Sequence, residues 1–209
     1  MSSSSGHPMT IRSVATRSTG QMGFTRAELE SYRDAVIPDL VGPDCRLLFV
    51  GINPGLWTAA TGAHFARPGN RFYPALARAG IVDRVIDASK GYREEDRQLL
   101  LDSGIGITNL VRRATARADE LTPEELQSGG ERLVETVAAV SPKVIAIAGI
   151  TAYRSAFGER KAVSGRQERT IAGVPVWVVP NPSGLNAHAD VDSLGIAYRE
   201  PARAAGIVR

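Results

Sequence analysis

At residues 46–51 the chain reads Arg-Leu-Leu-Phe-Val-Gly, a continuous apolar run that ends in glycine. This pattern is typical of a short strand buried on both faces of a sheet. A second such run, Lys-Val-Ile-Ala-Ile-Ala-Gly, occupies residues 143–149. Because the segments between these runs carry helix signals, the pattern predicts a mostly parallel central sheet with helices on both faces, a three-layer α/β/α fold.

Capping residues mark the helices around these runs. Thr25-Arg-Ala-Glu28 fits a capping box and predicts a helix that ends near Ile37, because Pro38 cannot continue it. Thr122, followed by Pro123 at the first helical position, predicts a long helix that ends before residue 142. A loop rich in Gly and Pro is expected after residue 51. The other predicted elements are helices at 70–79, 94–101 and 191–205, a short helix ending at 157, and strands at 105–110, 170–172 and 174–179.

Length and composition suit a single domain. The chain has 209 residues, 43% of them hydrophobic, and we expect one domain over residues 25–209. Residues 1–24 are rich in Ser, Thr and Gly and predict a mobile tail. No apolar run is long enough to span a membrane, and the opening Met-Ser-Ser-Ser-Ser-Gly lacks the apolar core of a secretory signal. We therefore expect an intracellular protein.

The sequence offers little support for a metal site or a disulfide. Cys45 is the single cysteine, and the three histidines are scattered along the chain. A lone cysteine cannot form an internal disulfide, and these residues do not have the spacing of a metal site. We expect neither a metal nor another cofactor.

The positive charge is a weak indicator by itself. The net charge is +3, and Arg12 and Arg17 of the tail account for most of it. Basic residues also cluster at 112–117 and at 154–169, which permits a phosphate-binding surface. Arg166 and Arg169 are the candidates for contacts with DNA phosphates.

Two loops are expected to form the site. Gly51-Ile-Asn-Pro-Gly55 follows the first strand, and Pro180-Asn-Pro-Ser-Gly-Leu-Asn186 follows the last. Ligands of parallel α/β sheets bind at the carboxyl ends of the strands, so both loops should leave the same edge. Each loop presents an asparagine amide framed by prolines.

These loops carry a resemblance to a known family. Gly51-Ile-Asn-Pro-Gly-Leu56, the stretch Thr61-Gly-Ala-His-Phe-Ala-Arg-Pro-Gly-Asn-Arg-Phe72 and Pro180-Asn-Pro-Ser-Gly-Leu185 resemble the mismatch-specific uracil/thymine DNA glycosylases. Ile107-Thr-Asn-Leu-Val-Arg112 and residues 124–130 continue the resemblance in matching order. It covers roughly residues 46–205.

The resemblance implies roles for individual residues. Asn53 is similar to the catalytic asparagine of the family, and Phe65 to the aromatic residue that stacks on the flipped base. Backbone groups near Ile52, Gly55 and Phe65 should line the base pocket, and Asn181 resembles the asparagine that precedes the wedge. The wedge that fills the gap left by the flipped nucleotide is expected at Gly184, Leu185, Asn186 and His188.

The chemistry of these side chains is compatible with the implied roles. The amide of Asn53 is neutral and cannot act as a strong base, but its oxygen can hold a water near the sugar carbon. Phe65 offers a face for stacking, although burial against the sheet is an equal alternative. His64 matches a histidine of the thymine-excising branch and could donate to the departing base or bind phosphate. A solvent-facing loop histidine is the favoured interpretation of His64.

The expected function is therefore a monofunctional DNA glycosylase of base excision repair. Such an enzyme flips uracil, or a related base opposite guanine, out of double-stranded DNA and hydrolyses its N-glycosidic bond. We expect it to act as a monomer. Two alternatives stay open: a non-catalytic module that binds damaged bases, and a hydrolase of free nucleosides.

Overall fold

The central sheet is built from the apolar runs of the sequence. The computed structural model describes residues 23–187 and 189–209. Within them, five strands have the order β2-β1-β3-β5-β4, and all neighbouring pairs are parallel except β4 with β5. The strands are β1 Leu47–Gly51, β2 Ile105–Asn109, β3 Val144–Ala148, β4 Gly165–Ile171 and β5 Val174–Val179.

Helices cover both faces of this sheet. They are α1 Arg26–Glu30, α2 Leu56–Thr61, α3 Phe72–Arg78, α4 Glu94–Asp102, α5 Pro123–Val140, α6 Ile150–Phe157 and α7 Val191–Ala204, with a 3-10 turn at Ala118–Glu120. Successive residues of β1 enter opposite cores: Leu47 and Phe49 pack with α3, α4 and α7, whereas Leu48 and Val50 pack with α5 and α6. The predicted three-layer α/β/α fold with a mostly parallel sheet is confirmed.

The capping signals are confirmed at the start of α1 and α5. Thr25 and Thr122 each accept a hydrogen bond from the backbone of the glutamate three residues later, and that glutamate bonds back to the cap. The prediction that Asn70 caps α3 is wrong, because the N-cap position is taken by Arg71. Asn70 lies one residue earlier, where its Oδ1 accepts a hydrogen bond from the N–H of Phe72 at 2.9 Å.

The predicted end of the first helix is wrong. Helix α1 stops at Glu30 rather than near Ile37. The following residues are held by distant partners, since Asp34 donates its N–H to the carbonyl of Ala114 and Val36 forms a bridge with Arg113. These tertiary hydrogen bonds compete with further helical turns, and Asp34 takes a left-handed conformation with φ 61°.

Two more local predictions need correction. The segment after β1 is not all loop, because α2 begins at Leu56 and ends at a left-handed Gly62. Strand β4 begins at Gly165, well before the predicted residue 170, and its register with β5 shifts between Arg166 and Thr170. Arg166 and Arg169 therefore lie on an edge strand and not in a loop.

Candidate base-excision site

A cavity of about 470 Å³ opens at the carboxyl edge of the sheet. Strands β1 and β5 are both neighbours of β3 and parallel to it, so the two predicted loops leave the same edge and meet at this cavity. The cavity lies in the size range of sites for small ligands. Predicted site residues in its lining are Ile52, Asn53, Gly55, His64, Phe65, Asn181 and Leu185.

Asn53 is held in one orientation by its amide nitrogen. Its Nδ2 donates to Thr115 Oγ1 at 2.7 Å and to the carbonyl of Arg113 at 3.0 Å, with the Pro54 carbonyl at 3.2 Å. Among the described residues, no donor bonds to Oδ1, and this oxygen is not sealed from solvent. The carbonyl oxygen of the amide is therefore the atom that Asn53 offers to a ligand or a water.

The hydroxyl of Thr115 is the one side-chain group among the described residues that contributes to this orientation. Thr115 is buried, with 1% of its surface exposed, and its Oγ1 donates to the carbonyl of Arg117 at 2.7 Å. A hydroxyl has one proton, so Oγ1 must accept from its other partner, which is the Asn53 amide. The N–H of Thr115 also bonds to the Pro54 carbonyl at 3.1 Å, which fastens the loop after β2 to the loop after β1.

The inner wall of the cavity requires a glycine at the end of β1. A Cβ atom on Gly51 would lie 2.5 Å from Oδ1 of Asn109 and 3.4 Å from Cζ of Phe65. Phe65 is half-buried with φ 54°, and its ring stacks on Phe72 with centroids 4.0 Å apart. Phe65 thus both packs against the core and lines the cavity, so the two alternatives for this residue are not exclusive.

His64 is not a solvent-facing residue, and the favoured interpretation of its sequence was wrong. Only 2% of its surface is exposed, its Nε2 lies 3.1 Å from the Pro38 carbonyl, and its Nδ1 lies 3.4 Å from Nδ2 of Asn109. A neutral ring with its proton on Nε2 satisfies both contacts, because Nε2 then donates to the Pro38 carbonyl and Nδ1 accepts from Nδ2 of Asn109. The backbone is also held, because Tyr73 donates its hydroxyl to the His64 carbonyl at 2.7 Å. His64 is buried because the chain folds it between the end of β2 and residues 38–39.

The loop after β5 forms the rim of the cavity. Asn181 lies in the lining, and its Oδ1 accepts the N–H of Ser183 at 2.9 Å. Leu185 is 74% exposed, which agrees with a side chain that has no place in the core. Gly184 and Asn186 belong to the same loop, whereas His188 lies outside the described residues.

Charged residues are sparse around the cavity. Asp119 is the one carboxylate among the described lining residues, and it is 62% exposed and paired with Arg117 at 2.5 Å. Arg67, also in the lining, has no ion pair among the described residues. In the described part of the chain, no three His, Cys, Asp or Glu side chains are grouped as a metal ion requires. Nor does any helix there have the length and apolarity needed to cross a membrane.

The two predicted phosphate-binding arginines are not part of the cavity. Arg166 lies over the Trp177 ring with its guanidinium carbon 5.6 Å from the centroid. Arg169 lies over the Phe157 ring at 5.0 Å and is 3.5 Å from Glu159. Their contact with DNA phosphates stays a prediction.

Comparison with known proteins identifies the fold family. Residues 38–200 match the Uracil DNA glycosylase superfamily. The chain belongs to this superfamily. A candidate uracil DNA glycosylase from Methanosarcina acetivorans, known from a solution NMR structure, has a similar fold with a TM-score of 0.56 and 17% sequence identity. The match covers 79% of this chain and 96% of that one, and at this identity it supports the fold alone.

Membership of the uracil DNA glycosylase superfamily supports DNA glycosylase activity, and the cavity adds residues that the sequence interpretation missed. Polar examples are Thr58, Asn109 and Thr115. Asn109 had a usable signal, since a polar side chain at the end of β2 lies beside the end of β1. Thr115 and Thr58 had none, because their place depends on loop packing.

We expect His64 to make the stability of this superfamily member depend on pH. Burial lowers the pKa of His64 below its ordinary 6.5, against smaller opposing effects of the Pro38 carbonyl and Asp39. As the pH falls below 6.5, the unfolded chain binds a proton at His64 that the folded protein does not, so the free energy of unfolding decreases. Urea unfolding at pH 7.5 and at pH 5 should show a smaller decrease for His64→Gln than for the wild type. Equal decreases in the two proteins would contradict a buried neutral His64.

Proposed function

We propose that the protein is a monofunctional DNA glycosylase of the mismatch-specific uracil/thymine branch. It acts as a monomer on double-stranded DNA, flips uracil or a related base opposite guanine into the cavity, and hydrolyses the N-glycosidic bond. The observation that carries the proposal is the orientation of Asn53, whose amide nitrogen is tied to Thr115 and Arg113 while its oxygen is open. The matches of sequence around Asn53 and around Leu185 support the same branch.

The cavity suits a flipped base. Its wall combines the half-buried ring of Phe65 with the amide of Asn109 and the backbone of the Gly51–Gly55 loop. An aromatic ring and a few directed polar groups are what recognition of a base outside the stack requires. We propose that a base held there places its sugar beside Asn53, which also lines the cavity.

The proposed reaction depends on departure of the base. Water adds its oxygen to C1′ while the bond from C1′ to the base nitrogen breaks. The added water releases one proton to solvent, and the base, which leaves with the bonding electrons, takes up one proton from solvent. A neutral amide has little power to deprotonate water, so bond cleavage runs ahead of attack and the sugar becomes oxocarbenium-like. Asn53 Oδ1 accepts a hydrogen bond from the water and holds it in line with C1′.

The absence of an amine nucleophile from the lining supports a monofunctional enzyme. No lysine is among the described residues that line the cavity. A glycosylase that also cleaves the strand needs an amine to form a Schiff base with the sugar. We therefore expect an intact strand with an abasic site as the product.

Thr115→Val should slow excision by about tenfold, the effect of losing one oriented hydrogen bond. Valine keeps the shape of threonine but cannot accept from Asn53 Nδ2, so the amide loses the shortest of the hydrogen bonds that set its direction. Thr115→Ser keeps the hydroxyl and is the matched control. Single-turnover rates on a U:G duplex measure the effect, and equal rates for the two variants would show that Thr115 does not orient Asn53.

One assay tests the proposed function against its alternatives. The protein is incubated with duplexes that contain U opposite G, U opposite A, T opposite G, hypoxanthine or ethenocytosine, and with free deoxyuridine in parallel. Strand breaks that appear only after alkali, first of all with U opposite G, are the expected result. Binding without breaks would indicate a damaged-base-binding module, and cleavage of deoxyuridine alone would indicate a nucleoside hydrolase.

A further inference from the structure

One arginine holds the whole loop that carries Leu185. Arg71 Nη1 donates to the carbonyls of Asn186, at 3.0 Å, and of Ala189, and Nη2 donates to the carbonyl of Gly184 at 3.2 Å. The backbone N–H of Arg71 donates to the Pro182 carbonyl at 2.9 Å. A single residue thus bonds to four carbonyls spread from residue 182 to residue 189.

The segment just before Arg71 also packs directly against the backbone of this loop. A Cβ atom on Gly184 would lie 2.8 Å from the carbonyl oxygen of Gly69, which is closer than real Cβ atoms approach. Glycine at 184 therefore allows the loop to dock on residues 69–71. This contact is independent of the guanidinium and holds the loop in the same place.

Arg71 itself is firmly anchored. It precedes α3, whose first residues Phe72 and Tyr73 are buried, and Phe72 stacks on Phe65 of the cavity wall. The planar guanidinium has donors in a fixed fork, so several carbonyls can be held in one geometry. Residues 65–72 therefore join two parts of the site. One is the cavity wall that is proposed to receive the base, and the other is the loop that is proposed to fill the gap left in the DNA by the flipped nucleotide.

We infer that Arg71 is a positioning residue for base flipping, which orders the Gly184–Asn186 loop before DNA arrives. The inference rests on the proposed function. A free loop would have to lose conformational freedom when Leu185 enters the stack, and a loop already held by Arg71 avoids that loss. The carbonyl bonds occupy three of the five N–H donors of the Arg71 guanidinium, so the contribution that we infer is made through the loop.

The test uses Arg71→Lys, which keeps the positive charge but removes the planar set of N–H donors that binds several carbonyls at once. Single-turnover excision of uracil is measured from a U:G duplex and from a single strand of the same sequence. We expect a loss of about tenfold on the duplex, the effect of losing one to two hydrogen bonds, and little change on the single strand. Arg78→Lys is the matched control, because Arg78 is an arginine at the other end of α3, is 60% exposed and pairs with Asp192.

A double variant separates action through the loop from other roles. In a Leu185→Ala background, Arg71→Lys should add little further loss on the duplex, because the residue that it positions has been removed. Gly184→Ala should cause the same duplex-specific loss, because its Cβ atom would push the loop away from the Gly69 carbonyl while the core stays unchanged. Equal losses on both substrates, or full additivity with Leu185→Ala, would overturn the inference.

Hydrogen exchange gives a readout that does not depend on activity. Amides of residues 183–187 should exchange faster in Arg71→Lys than in the wild type, with no change in β1 or β3. Unchanged exchange would overturn the inference while leaving the proposed function intact. A wild-type protein that cleaves none of the duplexes would refute the proposed function, and with it the role in flipping, whatever the exchange shows.

Discussion

Asn53→Ala is expected to lower the single-turnover rate of uracil excision by about 100-fold or more, the usual effect of removing one positioned catalytic group. Alanine removes the oxygen that holds the water but leaves the cavity wall and the rim loop in place. Binding to a U:G duplex should therefore change little. The rate is measured with enzyme in excess, because slow release of the abasic product would hide the chemical step.

The control for this variant is Gln98→Ala. Gln98 is an exposed amide on α4 that does not line the cavity, and within residues 23–187 and 189–209 its side chain bonds only to Asp102, at 2.7 Å. The Gln98→Ala variant should excise uracil at the wild-type rate. Near-normal excision by Asn53→Ala would remove Asn53 from the mechanism, whereas a parallel loss of binding would show that the amide serves to hold DNA.

Leu185→Ala is expected to slow excision from a U:G duplex by about 10- to 100-fold, since burying a leucine side chain is worth about 1.5–3 kcal/mol. Leu185 is 74% exposed in the free protein, so it has apolar surface to bury in the gap left by a flipped nucleotide. A single strand leaves no stacked gap, and its excision should be nearly unchanged. The ratio of the duplex rate to the single-strand rate is the measurement.

Ile196→Ala is the matched control for Leu185→Ala. Ile196 is 70% exposed on α7, and it does not line the cavity. Its replacement should leave both rates unchanged and so correct for the general loss of exposed apolar surface. If Leu185→Ala lowers the two rates equally, its side chain does not act as a wedge.

The site combines parts that are far apart in the chain. The Asn53 loop follows β1, the Thr115 loop that orients it follows β2, and the Leu185 loop follows β5. Parallel packing of β2, β1, β3 and β5 brings these loops to one edge. The amide proposed to hold the water, the proposed base pocket and the proposed wedge thus lie around one cavity.

The sequence by itself determined the layers and the place of the site. Continuous apolar runs at residues 46–51 and 143–149 can be satisfied only by burial on both faces, which leads to parallel strands covered by helices. The capping box at Thr122 and the proline after it define the start of α5 from local hydrogen bonding alone. Because both asparagine loops follow such strands, their meeting at one edge was also predictable.

Only the tertiary structure decided the orientation and burial of the side chains in the site. The bond from Asn53 to Thr115 joins residues 62 positions apart, and the clamp from Arg71 reaches Ala189 over 118 positions. The residues next to His64 in the sequence do not indicate whether its side chain faces solvent or the core, so the sequence could not distinguish these two orientations. It is buried because residues 38–39 and the end of β2 close over it. Local patterns report what a segment prefers, whereas these contacts depend on which distant backbone groups the fold brings within about 3 Å of a side chain.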